Sequence, residues 1–130
     1  MAIRYVRYQS TVANERGNYP GIFGLANGLA RSGRLTEVDH TWWRKNNDWL
    51  DEAYPDPAVA HPNLFDLSVN PGATCWFRTS AGHLLTRVPG YLALLDRYDV
   101  PWTELQSNDP GRVLYADAVQ VVIAARQTRP

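Results

Sequence analysis

Apolar residues recur with helical spacing in three stretches of the chain. In residues 20–33 they lie one turn apart at Ile22, Leu25, Ala26 and Leu29, and Gly33 is placed to end the helix. Residues 36–54 begin with the capping pair Thr36 and Asp39, and their apolar stripe comprises Val38, Trp42, Trp49 and Ala53, with Trp43, Leu50 and Tyr54 beside it. Residues 80–98 keep the same spacing at Leu84, Leu85, Val88, Leu92, Leu95 and Tyr98. We therefore predict three helices, the third kinked or split at Pro89-Gly90.

Stretches rich in β-branched and aromatic residues predict the strands. We expect them over residues 3–9, 73–79, 102–106, 113–115 and 120–125, with turns at residues 70–72 and 108–111. Residues 55–62 contain three prolines and predict an extended surface connection without a helix, whereas residues 64–69 fit a helical turn or an edge strand. The last three strands follow one another with turns between them, so we expect an antiparallel meander.

Taken together, the elements predict the α+β class. We expect one domain over residues 1–130, with an antiparallel sheet of four or five strands and two or three helices packed on one face.

Cysteine usage and hydropathy bear on the compartment. Cys75 is the single cysteine, so no internal disulfide forms, and the first residues lack the basic-then-apolar pattern of a signal peptide. The longest wholly aliphatic run, residues 121–125, is far too short to span a bilayer. We expect a cytoplasmic protein without a membrane partner.

The chain has 13 basic and 13 acidic residues, so its net charge is zero and a nucleic-acid partner is disfavoured. The charges are nevertheless segregated: residues 1–35 carry five Arg against Glu15, and residues 36–66 carry seven acidic residues against Arg44 and Lys45. Such segments either pair with each other in the fold or face a partner.

The second predicted helix carries the least generic composition. Trp42 and Trp43 are adjacent, so they point about 100° apart and do not both fit one narrow core stripe. One of them is expected to face a groove or a partner, with Asn47 beside it as a hydrogen-bonding group. The alternative is that a small domain uses both tryptophans to fill its core.

A second group of candidates lies on the predicted central strand and the final hairpin. Polar and aromatic side chains there would line a cleft for a polar or anionic small molecule: Trp76, Arg78, His83, Arg112, Tyr115 and Gln120. His83 is the candidate for a catalytic role, since it follows the central strand near Arg78.

The sequence gives little support for a metal site or for a nucleophilic cysteine. The three histidines are far apart and belong to no metal-binding motif, so no metal or other cofactor is expected. Cys75 lies between apolar residues in a predicted strand, where a cysteine behaves as a small hydrophobic residue.

Four phrases of the sequence are similar to a family of short uncharacterised proteins of high-GC actinobacteria: GIFGLANGLARSGRL, NNDWLDEAYPDP, RVPGYLALLDRY and DPGRVLYADAVQVV. The resemblance implies a stand-alone domain and no particular activity.

Two functions therefore stay open. One is a binding or regulatory module that presents the tryptophan helix and the acidic face of residues 36–56 to a protein partner. The other is a small enzyme or ligand-binding domain built around the cleft candidates, and the sequence does not decide whether the protein is an enzyme. A homo-oligomer is compatible with either.

Overall fold

The computed structural model describes residues 2–54, 56–66, 68–70 and 72–124. Its strands are β1 (Tyr5–Ser10), β2 (Thr74–Arg78), β3 (Trp102–Ser107), β4 (Arg112–Ala116) and β5 (Gln120–Ala124). Its longer helices are α1 (Ile22–Arg31), α2 (Glu37–Ala53) and α5 (Val88–Arg97), and two single turns are α3 (Pro57–Ala60) and α4 (Gly82–Leu85). The predicted α+β class is confirmed.

The five strands form one antiparallel sheet in the order β3-β1-β2-β5-β4. Strands β4 and β5 form the predicted hairpin, whose register shifts between Val113 and Tyr115. Strand β3 lies at the opposite edge beside β1, so the predicted three-strand meander is wrong. The Asn-Asp-Pro-Gly segment, with bends at Asn108 and Gly111, connects β3 to β4 at the opposite edge of the sheet. Turn chemistry is local and does not fix which strand β3 pairs with.

Proline chemistry explains two further outcomes. The third predicted helix is split into α4 and α5, and Pro89 lies in the first turn of α5, where its missing N–H costs nothing. The prediction of no helix in residues 55–62 is wrong for Pro57–Ala60. Asp56 accepts a hydrogen bond from the Ala58 N–H at 2.9 Å and Pro57 occupies the first turn, which is a favourable helix start.

Several sequence predictions fall partly on residues outside the described ranges. They are the end of the second helix and the start of the connection 55–62 at Pro55, the segment 64–69 at Leu67, the turn 70–72 at Pro71, and the last strand at Ala125. The described part of residues 64–69 consists of turns and one unassigned residue, with neither a helix nor a strand.

Residue contacts group the chain into two units, which we describe in turn. Unit 1 comprises the described residues of Met1–Arg7, Asp56–Gly82 and Leu105–Pro130, and unit 2 comprises Tyr8–Pro55 and His83–Glu104. The prediction of one domain with helices on one face of the sheet stays a prediction.

Unit 2 is built around helices α1, α2 and α5. Its buried cluster consists of Ile22, Ala26, Leu29, Trp43, Val88, Tyr91, Leu94 and Leu95. The stripe predicted for α2 is wrong in its phase, since Val38 is 79% exposed and Trp43 is 7% exposed. The close approach of the Trp42 ring to Gly90 contributes to this orientation of α2. A Cβ atom there would lie 2.4 Å from Cζ2 of Trp42.

Unit 1 contains most of the sheet. On one face Trp76, Val121 and Ile123 are buried and contact the half-buried Tyr5 and Leu105. The pairing of Phe77 with Gln120 and of Cys75 with Val122 puts these four residues on the other face.

Among the described residues, no helix is long and apolar enough to cross a membrane.

Candidate functional site

The adjacent tryptophans of α2, Trp42 and Trp43, both contribute to the interior of unit 2. The Trp43 indole N–H donates to Oδ1 of Asn27 at 3.0 Å, and the Trp42 ring packs edge-on against Tyr91 with 5.0 Å between centroids. Trp42 is half-buried and belongs to the shell around the buried cluster. Both side chains therefore pack in or around the core, as the core-filling alternative predicted. The sequence analysis missed that Gly90, which has no side chain, leaves room for the Trp42 indole.

Asn47, predicted as a ligand group, is part of a hydrogen-bond network inside unit 2. Its Nδ2 donates to Oδ1 of Asn27 at 2.8 Å, and its Oδ1 accepts from the Tyr91 hydroxyl at 2.5 Å. Asn27 Oδ1 thus accepts from both Trp43 and Asn47, and the network joins α1, α2 and α5. Burial raises the pKa of the fully buried Tyr91, so its hydroxyl stays a donor. The side-chain groups of Asn47 serve cohesion between helices.

The outward face of α2 is polar and carries internal ion pairs. Arg44 lies 3.7 Å from Asp48, and Arg97 of α5 lies 2.8 Å from Asp39 near the start of α2. Hydrogen bonds from the Tyr98 hydroxyl and from Arg97 outweigh a burial effect and keep the pKa of Asp39 below its usual range. Part of the acidic face predicted for a partner is therefore matched by cations of unit 2.

In unit 1, three of the cleft candidates converge on Asp117, which connects β4 to β5. The Tyr115 hydroxyl donates to Oδ2 of Asp117 at 2.8 Å, and Nε2 of Gln120 donates to the same oxygen at 3.2 Å. Nε of Arg78 donates to the backbone carbonyl of Asp117 at 2.7 Å. We call these four residues the hairpin cluster: Arg78, Tyr115, Asp117 and Gln120.

Hydrogen bonds within the hairpin cluster stabilise the charged form of Asp117 in the turn. Burial disfavours the charged form of Asp117, but hydrogen bonds from the Val119 N–H, Tyr115 and Gln120 outweigh it and lower the pKa. Next to the cluster, the Cys75 thiol donates to Oε1 of Gln120 at 3.1 Å, and burial raises its pKa to about 12. A thiol that is protonated at neutral pH is a poor nucleophile. Because the side chains of the hairpin cluster bind one another and the turn, we interpret the cluster as a structural element of the hairpin.

The remaining cleft candidates lie elsewhere. Trp76 pairs with Val121 on the sheet face opposite Gln120, and Arg112 is exposed at the start of β4. His83 belongs to unit 2, where it is exposed on α4 and its carbonyl accepts from the Thr86 hydroxyl at 2.8 Å. In the described part of the chain, no group of three His, Cys, Asp or Glu side chains is arranged to hold a metal ion.

Unit 1 has an open depression of about 400 Å³ beside strand β4. Its lining residues come from the segment after α3 and from the strand: Ala60, His61, Pro62, Asn63, Leu64, Asn70 and Leu114. The His61 ring lies edge-on against Tyr115 with 5.6 Å between centroids, and Asn70 Nδ2 donates to the Leu64 carbonyl at 3.1 Å. Leu64 is buried, so it anchors the segment that forms one wall.

Three exposed apolar residues are chain neighbours of the lining residues Ala60, Leu64 and Asn70, and we call them the apolar rim: Val59, Phe65 and Val69. Val113 is also exposed and precedes Leu114, but it pairs with Ile123, on the sheet face opposite Tyr115. Val59 is the most exposed at 80%. Exposed large apolar side chains that cluster on a surface are typical of contact surfaces. The sequence signal that could have pointed here is three large apolar residues in a proline-rich connection without helical or strand periodicity.

No family model, curated protein or solved structure matches the chain. The resemblance to the actinobacterial family stays a prediction.

Proposed function

We propose that the protein is a small interaction module that binds a protein partner through the apolar rim and depression of unit 1. The observation that carries this proposal is the exposure of Val59, Phe65 and Val69, which directly neighbour lining residues in the chain. An exposed valine gains free energy when a partner removes it from water, on the order of 1–2 kcal/mol for a well-covered side chain.

The shape of the depression favours a protein over a small metabolite. Pockets that hold small molecules tightly enclose most of the ligand surface, whereas this depression is open. Its polar lining is furnished by the amides Asn63 and Asn70 and by His61, with Leu64 and Leu114 as apolar walls. An apolar side chain of a partner fits such a lining, with backbone amides able to hydrogen-bond at its border.

The tryptophan helix is less suited to this role than the rim. Trp43 and Trp42 support the core of unit 2, and the exposed valine of α2, Val38, lies in a polar surface that includes Glu37 and Thr41. The enzyme alternative lacks a comparable support, because Asp117, Tyr115 and Gln120 bind one another within the hairpin. We propose the cytoplasm as the compartment, since Cys75 has a free thiol.

The test is selection of peptides from a random display library on the folded protein, followed by affinity measurement on variants. We expect selected peptides to lose about tenfold in affinity on Val59→Ser or Val69→Ser, which corresponds to the burial of one valine. Val38→Ser is the matched control, because Val38 is 79% and Val59 80% exposed and both lie in the first turn of a helix. The proposal fails if no peptide is selected, or if binding survives both rim variants.

A further inference from the structure

The segment that carries the apolar rim is acidic and lacks cations. From Asp56 to Asn70 the sequence contains two carboxylates, Asp56 and Asp66, and no Lys or Arg. Both aspartates are exposed. The absence of cations extends from residue 46 to residue 77, since Lys45 and Arg78 are the nearest ones along the chain.

Each aspartate lies within one turn of chain from a rim valine. The carbonyl of Asp56 accepts from the Val59 N–H at 3.1 Å, and the carbonyl of Asp66 accepts from the Val69 N–H at 3.0 Å. Asp66 also directly follows Phe65. Acidic and apolar residues therefore alternate along the segment that supplies most of the lining of the depression.

Local hydrogen bonds hold both carboxylates in position. Oδ1 of Asp66 accepts from the Ser68 hydroxyl at 2.7 Å and from the Ser68 N–H at 2.9 Å, and Oδ1 of Asp56 accepts from the Ala58 N–H. The bonds from Ser68 keep the pKa of Asp66 below its usual range, so the charge persists in mildly acidic solution. Fixed charges lose little side-chain entropy when a partner binds.

We infer that the partner presents an apolar side chain flanked by Lys or Arg, so that the apolar side chain enters the depression and the cations meet Asp56 and Asp66. This inference rests on the proposed function and adds the chemistry of the partner to it. An oppositely charged rim sets which partners dock and how fast, while the apolar contacts supply most of the affinity.

The test uses two synthetic peptides that share a central Phe between glycines and differ in their flanking residues, Lys in one and Glu in the other. We expect the Lys peptide to bind, with an affinity that falls as salt rises from about 0.02 to about 0.5 M, because screening shortens the reach of exposed charges. The Glu peptide is expected to bind at least about tenfold more weakly. Fluorescence anisotropy of labelled peptides measures both affinities.

Isosteric variants identify the charges. Asp56→Asn and Asp66→Asn keep the acceptor oxygen that each loop uses. Each variant is expected to bind the Lys peptide about two- to fourfold more weakly at low salt. Glu52→Gln, an exposed acidic residue on α2, is the matched control and is expected to change nothing. Arg112→Gln removes the cation at the start of β4 and is expected to leave the affinity unchanged or raise it.

The outcomes separate this inference from the proposed function. If both peptides bind equally and both depend on Val69, the charge inference is overturned while the contact surface stands. If neither peptide binds although library peptides depend on Val59 and Val69, the inference is likewise overturned. If sedimentation shows self-association that Val69→Ser abolishes, the occupant is a second copy of this chain and the inference is again wrong. If no peptide of any kind depends on the rim, both fail.

Discussion

The position of Trp42 above Gly90 can be tested by adding one methyl group. Alanine at position 90 would place its Cβ 2.4 Å from Cζ2 and 3.1 Å from Cη2 of Trp42. Carbon atoms pack favourably at about 3.5–4.0 Å, so the indole must retreat by roughly 1 Å. Its retreat is resisted because the ring also packs against the fully buried Tyr91.

Two opposing effects determine the stability of Gly90→Ala. Overpacking costs about 1–3 kcal/mol, whereas replacing glycine by alanine in a helix gains up to about 1 kcal/mol. We therefore expect a net loss of about 1–2 kcal/mol in the free energy of unfolding. Gly24→Ala in α1 is the matched control, since nothing lies within 4 Å of the added Cβ, and it is expected to gain about 0.5–1 kcal/mol.

Urea unfolding followed by circular dichroism measures both variants. The double variant with Trp42→Phe in the Gly90→Ala background is expected to recover part of the loss, because the smaller ring leaves room for the methyl group. A Gly90→Ala protein as stable as Gly24→Ala would refute the packing, and Trp42 would then be available to a partner as the sequence alone suggested.

Three further predictions concern polar side chains with internal hydrogen bonds. Tyr91→Phe removes the donor to Asn47 and should cost about 1–2 kcal/mol in urea unfolding; an unchanged midpoint would contradict the network. Because the pKa of Asp117 is lowered in the fold, its ionised form adds stability above the unfolded pKa near 4, and that stability is lost as the pH falls through the folded value. Asp117→Asn should therefore flatten the dependence of the urea midpoint on pH below about 4, and an equally steep dependence would refute the assignment. Cys75, with its pKa raised to about 12, should react with a thiol reagent at pH 8 far more slowly in the folded than in the urea-unfolded protein, and equal rates would disprove its protection.

Local sequence signals predicted the elements whose formation is local. The spacing of Ile22, Ala26 and Leu29 predicted α1, whose buried residues are these three. Pro89 predicted the division of the third helix, since proline lacks the N–H that a helix interior needs. Capping by Thr36 predicted the start of α2, and its side chain accepts from the Asp39 N–H at 3.2 Å.

The sequence did not predict features that depend on contacts between residues far apart in the chain. The partner of β3 is β1, far away in the chain, and the adjacent turn does not encode that choice. Packing of both tryptophans depends on Gly90 for Trp42 and on Asn27 for Trp43, neither of which lies in α2. The sequence analysis grouped Arg78 with Tyr115 and Gln120, but it did not predict that all three donate hydrogen bonds to Asp117, because sequence patterns do not show which acceptor a side chain meets.

The sequence did not predict the apolar rim, for a different reason. Sequence patterns identify apolar residues that will be buried, because burial imposes periodicity, whereas exposed apolar residues carry no period. Val59, Phe65 and Val69 were visible in the sequence, but their exposure became evident with the structure.

A backbone amide NMR titration with the Lys-flanked peptide tests most directly whether the rim of unit 1 is the contact surface. We predict saturable shift changes concentrated at residues 57–66, 68–70 and 112–116, with the amides of α2 unchanged, and loss of these changes in Val69→Ser. Shift changes concentrated on α2, or changes that persist in Val69→Ser, would contradict the account.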